Sequence, residues 1–406
     1  MKLLWLTPEV PERGGSGGAI RAANLLRGLA AQGVDVTVVA PAYAEQAERA
    51  RPLADAGVEL QLVPRPDSRA AEALRTLARH PTIAVRAASA PWLGAQAEIF
   101  WGEIEPTVRR VARGGQFDAV IVEHEFVAPW AARVPGRLPA ALALQNAYWT
   151  VFQRRADAAT GARRALARVE AARFRNYVAS SLGRYDLAWA VSDDDRRELH
   201  VLAPHLDVDL VPNGVEASLF SGLGVASGDP ALLIFAGTLS FAPNDEAVRW
   251  LAQEILPRVR ERRPQTRLRV VGRGATPALE RLAANAGVEL VGWVADIAAE
   301  YEHAGAAVAP IRSGSGTNLK VVEALAAGRP LVATPMAVRG IDVRDGEDLL
   351  VAGEPGDFAA AVVRVLDNRD LAARLAASGR ARVVGRYDWD ALSVSMRESL
   401  ERWLRL

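Results

Sequence analysis

The sequence predicts two Rossmann-like α/β domains, each a doubly wound sheet of parallel strands. Three observations carry this. The chain has 406 residues and is 50% hydrophobic, which is too much for one ordinary core and suits two domains of roughly 200 residues. Short apolar runs alternate with helical stretches in two successive series, the pattern of a parallel sheet with crossover helices. A glycine-rich loop stands between the first strand and the first helix, and another lies late in the second series.

Taken in order, residues 3–6 read as a buried strand, Arg13-Gly14-Gly15-Ser16-Gly17-Gly18 as a loop, 19–31 as a helix and 34–40 as a second strand. Together these make a βαβ unit. Further strands are expected at 58–63, 119–122, 141–144 and 187–191, with a long helix within 154–182. The second series follows Pro212-Asn213-Gly214-Val215 and a small, glycine-containing stretch at 221–230. Its expected strands are 231–235, 268–271, 288–290, 306–310, 331–333 and 349–351, with helices at 246–262, 277–286, 320–327 and 355–366. The expected domains are residues 1–215 and 216–386, with 387–406 a terminal helix crossing back to brace the first. Open α/β sheets bind ligands beyond the carboxyl ends of their strands, so two such domains facing each other imply a cleft lined by those ends.

Composition narrows the function. Net charge is +1 with both signs mixed along the chain, so no overall field recruits nucleic acid. There are no cysteines, hence no disulfides and no thiolate metal sites, in keeping with a reducing compartment. No run approaches the ~18 apolar residues of a membrane span, and the apolar start is too short for a signal sequence. A cytoplasmic location is expected.

The chain has only two lysines, Lys2 and Lys320, in an arginine-rich background. A lysine kept at an internal position suggests a task that a broad guanidinium fork does not perform, such as seating a compact charge among phosphate oxygens. Lys320 follows Arg312-Ser313-Gly314-Ser315-Gly316-Thr317-Asn318-Leu319 and precedes Glu323 by three residues. This reads as strand, tight loop, helix. Two glycines let backbone N–H groups approach an anion, the helix start adds its dipole, and Lys320 and Glu323 share a helix face. A phosphate-binding cation beside a hydroxyl-binding carboxylate suits a nucleotide sugar.

The first glycine loop has the strand-to-helix context of a dinucleotide site, but the third glycine position of G-x-G-x-x-G falls on Ile20. Asp35, the candidate ribose acid, precedes its strand. NAD binding is therefore disfavoured, while approach of a substrate phosphate or sugar to the loop is favoured over a purely structural turn. The run Asp193-Asp194-Asp195 follows Ser192 and reads as a helix start in preference to a metal cluster. Of His80, His124, His200, His205 and His303, only His124 lies at the carboxyl end of an expected strand, which makes it the catalytic candidate among them. An arginine-rich stretch at 154–184 is balanced between a solvated face, which is favoured, and a peripheral membrane contact.

At this point the chain resembles the retaining GT-B glycosyltransferases of family 4 (glycosyl transferases group 1) over essentially its full length. The resemblance rests on the first glycine loop, on Ala190-Val191-Ser192, on Val211-Pro212-Asn213-Gly214-Val215-Glu216 and on Phe235-Ala236-Gly237-Thr238. It continues through Val271-Gly272-Arg273-Gly274, Gly292-Trp293-Val294-Ala295-Asp296, and Lys320 through Glu323-Ala324-Leu325-Ala326-Ala327-Gly328.

The resemblance implies a GT-B fold and transfer of a sugar from a nucleoside diphosphate donor, UDP- or GDP-linked, to an acceptor hydroxyl on a glycan, glycolipid or small molecule. It implies retention of configuration, with no metal and no cofactor besides the donor. By position Glu323 would hold the ribose. Lys320, with Gly314, Ser315, Gly316, Thr317 and Asn318, would hold the diphosphate, together with Arg312 and the strand-end pair Gly237 and Thr238. Trp293 and Val294 would meet the base, and Gly17 and Gly18 would approach donor phosphate or acceptor from the other domain.

Three positions depart from the family pattern. Ser315 stands where a glutamate is usual, Gly237 to Asn244 lacks the usual Arg and Lys, and Gln145-Asn146 replaces a common histidine. Lys320, with Arg312, thus becomes the main charge opposite the diphosphate. The runner-up readings are a catalytically degenerate GT-B partner protein and a nucleotide-sugar epimerase. A phosphorylase lacks a suitably placed pyridoxal lysine, and an exported sugar-binding protein would need a signal sequence.

Overall fold

Strands covered by helices on both faces must be apolar along their length, and the inner strands of the first sheet are. β1 (Lys2–Leu6), β2 (Asp35–Ala42), β4 (Ala119–Glu123), β5 (Ala140–Ala143) and β6 (Leu187–Ala190) are buried almost throughout, while the edge strands β3 (Glu59–Pro64) and β7 (Asp207–Leu210) are half-buried. All neighbours pair in parallel, in the order β3-β2-β1-β4-β5-β6-β7. The structure is a computed structural model that describes residues 1–12, 15–65, 81–313 and 317–405. Gly14, His80, Gly314, Ser315 and Gly316 lie outside the described residues.

The second sheet repeats the plan with β8 (Asp229–Ala236), β9 (Arg267–Val271), β10 (Val288–Gly292), β11 (Ala304–Ala309), β12 (Leu331–Ala333) and β13 (Leu350–Val351) in the order β10-β9-β8-β11-β12-β13, again parallel. Each sheet therefore has one place where the strand order reverses, between β1 and β4 and between β8 and β11. There the connections leave to opposite sides and open a crevice at the carboxyl ends. Contacts divide the chain into two compact units, Met1–Pro212 with Leu392–Leu406, and Asn213–Ala391.

Helix starts follow local chemistry. Ser16 caps the helix Gly17–Ala31 by accepting from Ala19 N at 3.1 Å. Ser192 caps Asp193–Leu202, so the three aspartates form that helix's first turn: Asp193 pairs with Arg196, Asp194 with Arg197, and Asp195 accepts from Ala147 N at 3.1 Å.

Several elements differ from expectation. The long helix expected within 154–182 is there as Gly161–Leu182, but it is preceded by a separate helix, Tyr148–Ala158, with the break where Gly161 takes φ +58°. The helix expected at 246–262 starts at Ala242 with Pro243 in its first turn, then passes through a π turn at Leu251–Ile255 before Leu256–Arg262. Pro257 has no N–H to return to a carbonyl four residues back, and the wider turn absorbs that loss. β7, the helix Ile297–His303 and the helix Arg369–Tyr387 were not expected.

The terminal helix Trp389–Leu404 packs, from Leu392 onward, within the first unit. Trp189 Nε1 donates to Ser399 Oγ at 3.0 Å, Gln32 Nε2 to Ser393 Oγ at 2.9 Å, and Arg402 pairs with Asp209 at 2.7 Å. A Cβ on Gly28 would lie 2.2 Å from Ser393 Oγ, so a side chain there would hold the two helices apart.

Candidate active site

In the first unit the β1/β4 reversal gathers polar groups that are far apart in sequence. β4 ends at Glu123, and His124 follows with φ +74°, a conformation rare for a residue bearing a side chain. Its Nε2 lies 3.1 Å from Glu9 Oε1 on the segment leaving β1, and Ser16 Oγ donates to Glu9 Oε2 at 2.7 Å. The start of the next helix is pressed against this pair: a Cβ on Gly18 would lie 2.4 Å from Glu9 Oε1 and 3.4 Å from His124 Cε1. Gly18 and His124 are thus brought together, and Gly17 opens the helix beside them.

Burial works to raise the Glu9 carboxyl, but the His124 hydrogen bond, the His124 charge and Ser16 hold it below the usual range. Burial opposes the His124 imidazolium, yet the Glu9 hydrogen bond and the charges of Glu9, Glu123 and Glu125 leave its pKa raised.

Two further buried carboxyls flank the histidine. Glu123 accepts from Trp5 Nε1 at 3.0 Å and from Gln145 Nε2. Burial raises its pKa, opposed by the His124 charge, the Trp5 bond and the charge of Arg21. Gln145, standing where a histidine is common in the resembled family, is therefore a buried clamp on Glu123. Glu125 is fully buried, accepts from Tyr148 N at 3.3 Å, and is pushed up to about 7 by burial. Arg21, also fully buried, donates to Val211 O and Pro212 O at 2.5 and 2.6 Å and ties the first helix to the end of the unit.

In the second unit the β8/β11 reversal does the same. Gly237 follows β8, and a Cβ there would meet Asn244 Nδ2 at 2.8 Å and Lys320 Cε at 3.2 Å, so both side chains converge on the glycine. Asn244 is buried and donates to Thr238 O at 2.8 Å, with its Oδ1 buried and unpartnered among the described residues. Lys320 Nζ sits 5.6 Å from the Phe235 ring centroid. Lys320 and Glu323, on the helix Leu319–Ala326, are both partly buried. Burial lowers Lys320 to about 8 against the attraction of Glu323, and burial raises Glu323 against the attraction of Lys320.

Other expected donor contacts are engaged within the protein. Arg312 stacks 4.7 Å over Trp250 and pairs with Glu246 at 3.2 Å, and Ser313 Oγ donates to Glu246 at 2.6 Å. Buried Thr317 accepts from Asn213 Nδ2 at 3.3 Å, and Asn318 donates to Ala337 O at 3.0 Å, so these two fix the loop's exit. Trp293 is exposed and Val294 half-buried, just beyond the edge strand β10.

Sequence reasoning missed Glu9 and Asn244. The signal for Glu9 was an acid directly after the first strand, and for Asn244 a Pro-Asn opening a helix at the end of β8. Neither reveals its partner, which lies 115 residues away for Glu9.

Comparison with known proteins agrees along most of the chain. A family model described as "Glycosyl transferase 4-like domain" matches residues 16–214, and one described as "Glycosyl transferases group 1" matches residues 230–368. A phosphatidyl-myo-inositol mannosyltransferase of Mycobacterium tuberculosis is 33% identical over 222 residues, which is 50% of this chain and 56% of that protein. A D-inositol 3-phosphate glycosyltransferase of Geodermatophilus obscurus is 33% identical over 216 residues, 48% of this chain and 45% of its own. The matched region thus spans about half the length of these curated relatives. Among solved structures, Anabaena Alr3699/HepE in complex with UDP aligns over 99% of this chain and 100% of its own at TM-score 0.69 and 15% identity, a likeness of fold. Matched by glycosyl transferase models over residues 16–214 and 230–368, this chain belongs to the GT-B glycosyltransferases of family 4.

Proposed function

We propose that the chain moves a sugar from a UDP- or GDP-linked donor to an acceptor hydroxyl, with retained configuration and without a metal ion. The observation that carries this is the convergence of Lys320 on Gly237 at the β8/β11 reversal, in a chain with one other lysine. A departing nucleoside diphosphate develops negative charge, and each preorganised cation or N–H aimed at it is worth roughly 2.7–4 kcal/mol. Lys320 supplies the cation, Gly237 lets the diphosphate approach the backbone, and Glu323 holds the ribose. The neighbour's bound UDP supports a nucleotide in this kind of fold.

In the first unit His124, Gly17 and Gly18 meet the reacting sugar and the acceptor. The names of the relatives point to an inositol-type polyol bearing an anionic or lipid-linked phosphate as the acceptor class.

The test is release of UDP or GDP from a panel of nucleotide sugars, together with calorimetric binding of UDP and GDP. The wild type releases nucleotide from at least one donor, and Lys320→Ala loses both binding and turnover. No release from any donor points to the degenerate partner protein, and a Lys320→Ala variant within about threefold of wild type removes the diphosphate role.

A peripheral membrane contact is the second proposal, favoured by one surface. No described helix is long and apolar enough to cross a membrane. The helix Gly161–Leu182 exposes Leu166 (73%) and Val169 among Arg163, Arg164 and Arg168, and its Glu170 accepts from Trp92 N at 2.6 Å. Trp92 is itself 68% exposed. Basic side chains around exposed apolar anchors suit an anionic interface. Sedimentation with phosphatidylglycerol vesicles, reduced by Trp92→Ala with Leu166→Ser and absent on phosphatidylcholine, is the expected result. Equal sedimentation of wild type and variant removes the contact.

A further inference from the structure

We infer that Glu9 is a positioning residue: it holds His124 through Nε2, so that the opposite ring nitrogen, Nδ1, is the one presented to a substrate hydroxyl. This rests on the proposal that His124 meets the reacting sugar or the acceptor.

A carboxylate has no proton to give and only accepts. Both Glu9 oxygens are occupied, Oε1 by His124 Nε2 at 3.1 Å and Oε2 by Ser16 Oγ at 2.7 Å, and Thr7 Oγ1 donates to the Glu9 carbonyl at 3.0 Å. The carboxylate is held at both oxygens, the backbone at its carbonyl, and the carboxyl pKa lies below the usual range. In a neutral imidazole facing it, the proton must therefore sit on Nε2, and Nδ1 carries the lone pair.

That nitrogen is buried and has no hydrogen-bond partner among the described residues. A buried unpaired acceptor is unfavourable unless something else satisfies it. A hydroxyl is the neutral group that donates one short hydrogen bond, and sugars and polyol acceptors carry many. The backbone of His124, at φ +74°, is held in this rare conformation by its N–H to Ala143 O at 3.0 Å and by Val127 N donating to its carbonyl at 3.3 Å. Retained strain of this kind concentrates at sites where a side chain must point one way. Gly18 completes the device, because only the absence of a Cβ lets the helix start close over Glu9.

The hydroxyl belongs either to the donor sugar or to the acceptor, and the experiment separates these. Nitrogen-15 NMR of the His124 ring, followed as pH is raised until the imidazolium signal is lost, reads the tautomer of the neutral ring without any substrate. Wild type carries its proton on Nε2. Glu9→Leu shifts the population toward the Nδ1-protonated form, and Glu9→Gln, which keeps the shape and whose amide both accepts and donates, gives a mixture. In parallel, nucleotide release from UDP-glucose and GDP-mannose is followed without acceptor and with myo-inositol. Glu9→Leu lowers turnover by about tenfold or more, with UDP and GDP affinity unchanged, and Glu9→Gln recovers part of it. A loss already present without acceptor assigns the hydroxyl to the donor sugar, and a loss seen only with myo-inositol assigns it to the acceptor.

An Nδ1-protonated wild type, or a Glu9→Leu variant that is folded and within about twofold of wild type in turnover, overturns the inference. A wild type that binds neither UDP nor GDP sinks the proposed function instead, and the tautomer measurement then judges the Glu9–His124 pairing alone.

Discussion

Lys320 is where a single residue's environment makes the sharpest prediction. Burial lowers its amine to about 8 in the free protein, with Glu323 pulling the other way. A bound diphosphate favours the charged amine, so its pKa rises on binding and complex formation takes up a proton above pH 8. By linkage UDP affinity weakens as pH climbs through that value, by about fivefold between pH 8 and 9. Calorimetry across this window reads it directly. Lys320→Arg, whose guanidinium stays charged, binds with no such slope, and a slope surviving in that variant would falsify the assignment. Lys320 and Glu323 were visible in the sequence because rarity and an i,i+3 spacing are one-dimensional signals. Glu9 and Asn244 were not, because an acid or an amide acquires its role from the partner it meets: His124 from another strand for Glu9, and Gly237 with Lys320 for Asn244.

At the level of elements, the buried inner strands were legible as continuous apolar runs, and strand ends that carry the site fell within a residue or two of expectation, as at Glu123 and Ala236. β7 was not, because Asp207 and Asp209 interrupt its apolar run on an edge where one face meets solvent. The helices Ile297–His303 and Arg369–Tyr387 hid behind alanine, glutamate and arginine patterns with narrow apolar stripes. The close crossing of Gly17–Ala31 with Trp389–Leu404 tests how elements fit. Gly28→Ala places a methyl within 2.4 Å of Ser393 Cβ and is expected to destabilise the first unit by ~1–3 kcal/mol. Ser393→Gly in the same chain recovers part of that loss, a coupling that a double-mutant cycle in urea measures. Additive single effects would show that the helices yield without strain.

For the whole molecule, residues 392–406 belong to the first unit although they follow the second in sequence. Ending the chain after Ala391 strips Trp189, Asp209 and Gln32 of their partners Ser399, Arg402 and Ser393. Hydrogen exchange is then expected to quicken in Gly17–Ala31 and in β6 and β7, while β8, β9 and β11 keep their protection; equal loss in both sheets would count against this division. Composition and alternating pattern by themselves determined two doubly wound domains, since apolar periodicity records which segments are covered by helices. The glycine loops and Lys320 likewise stood out as candidates, since a glycine run and a rare cation are written locally. Only the tertiary structure decided which groups share a site. The strand orders put β1 beside β4 and β8 beside β11, so Glu9 meets His124 and Gly237 meets Lys320. It alone also decided that Arg312, Thr317 and Gln145 spend their hydrogen bonds inside the protein. Pairing across a parallel sheet joins residues scores of positions apart, and no local pattern encodes which partner a side chain will find.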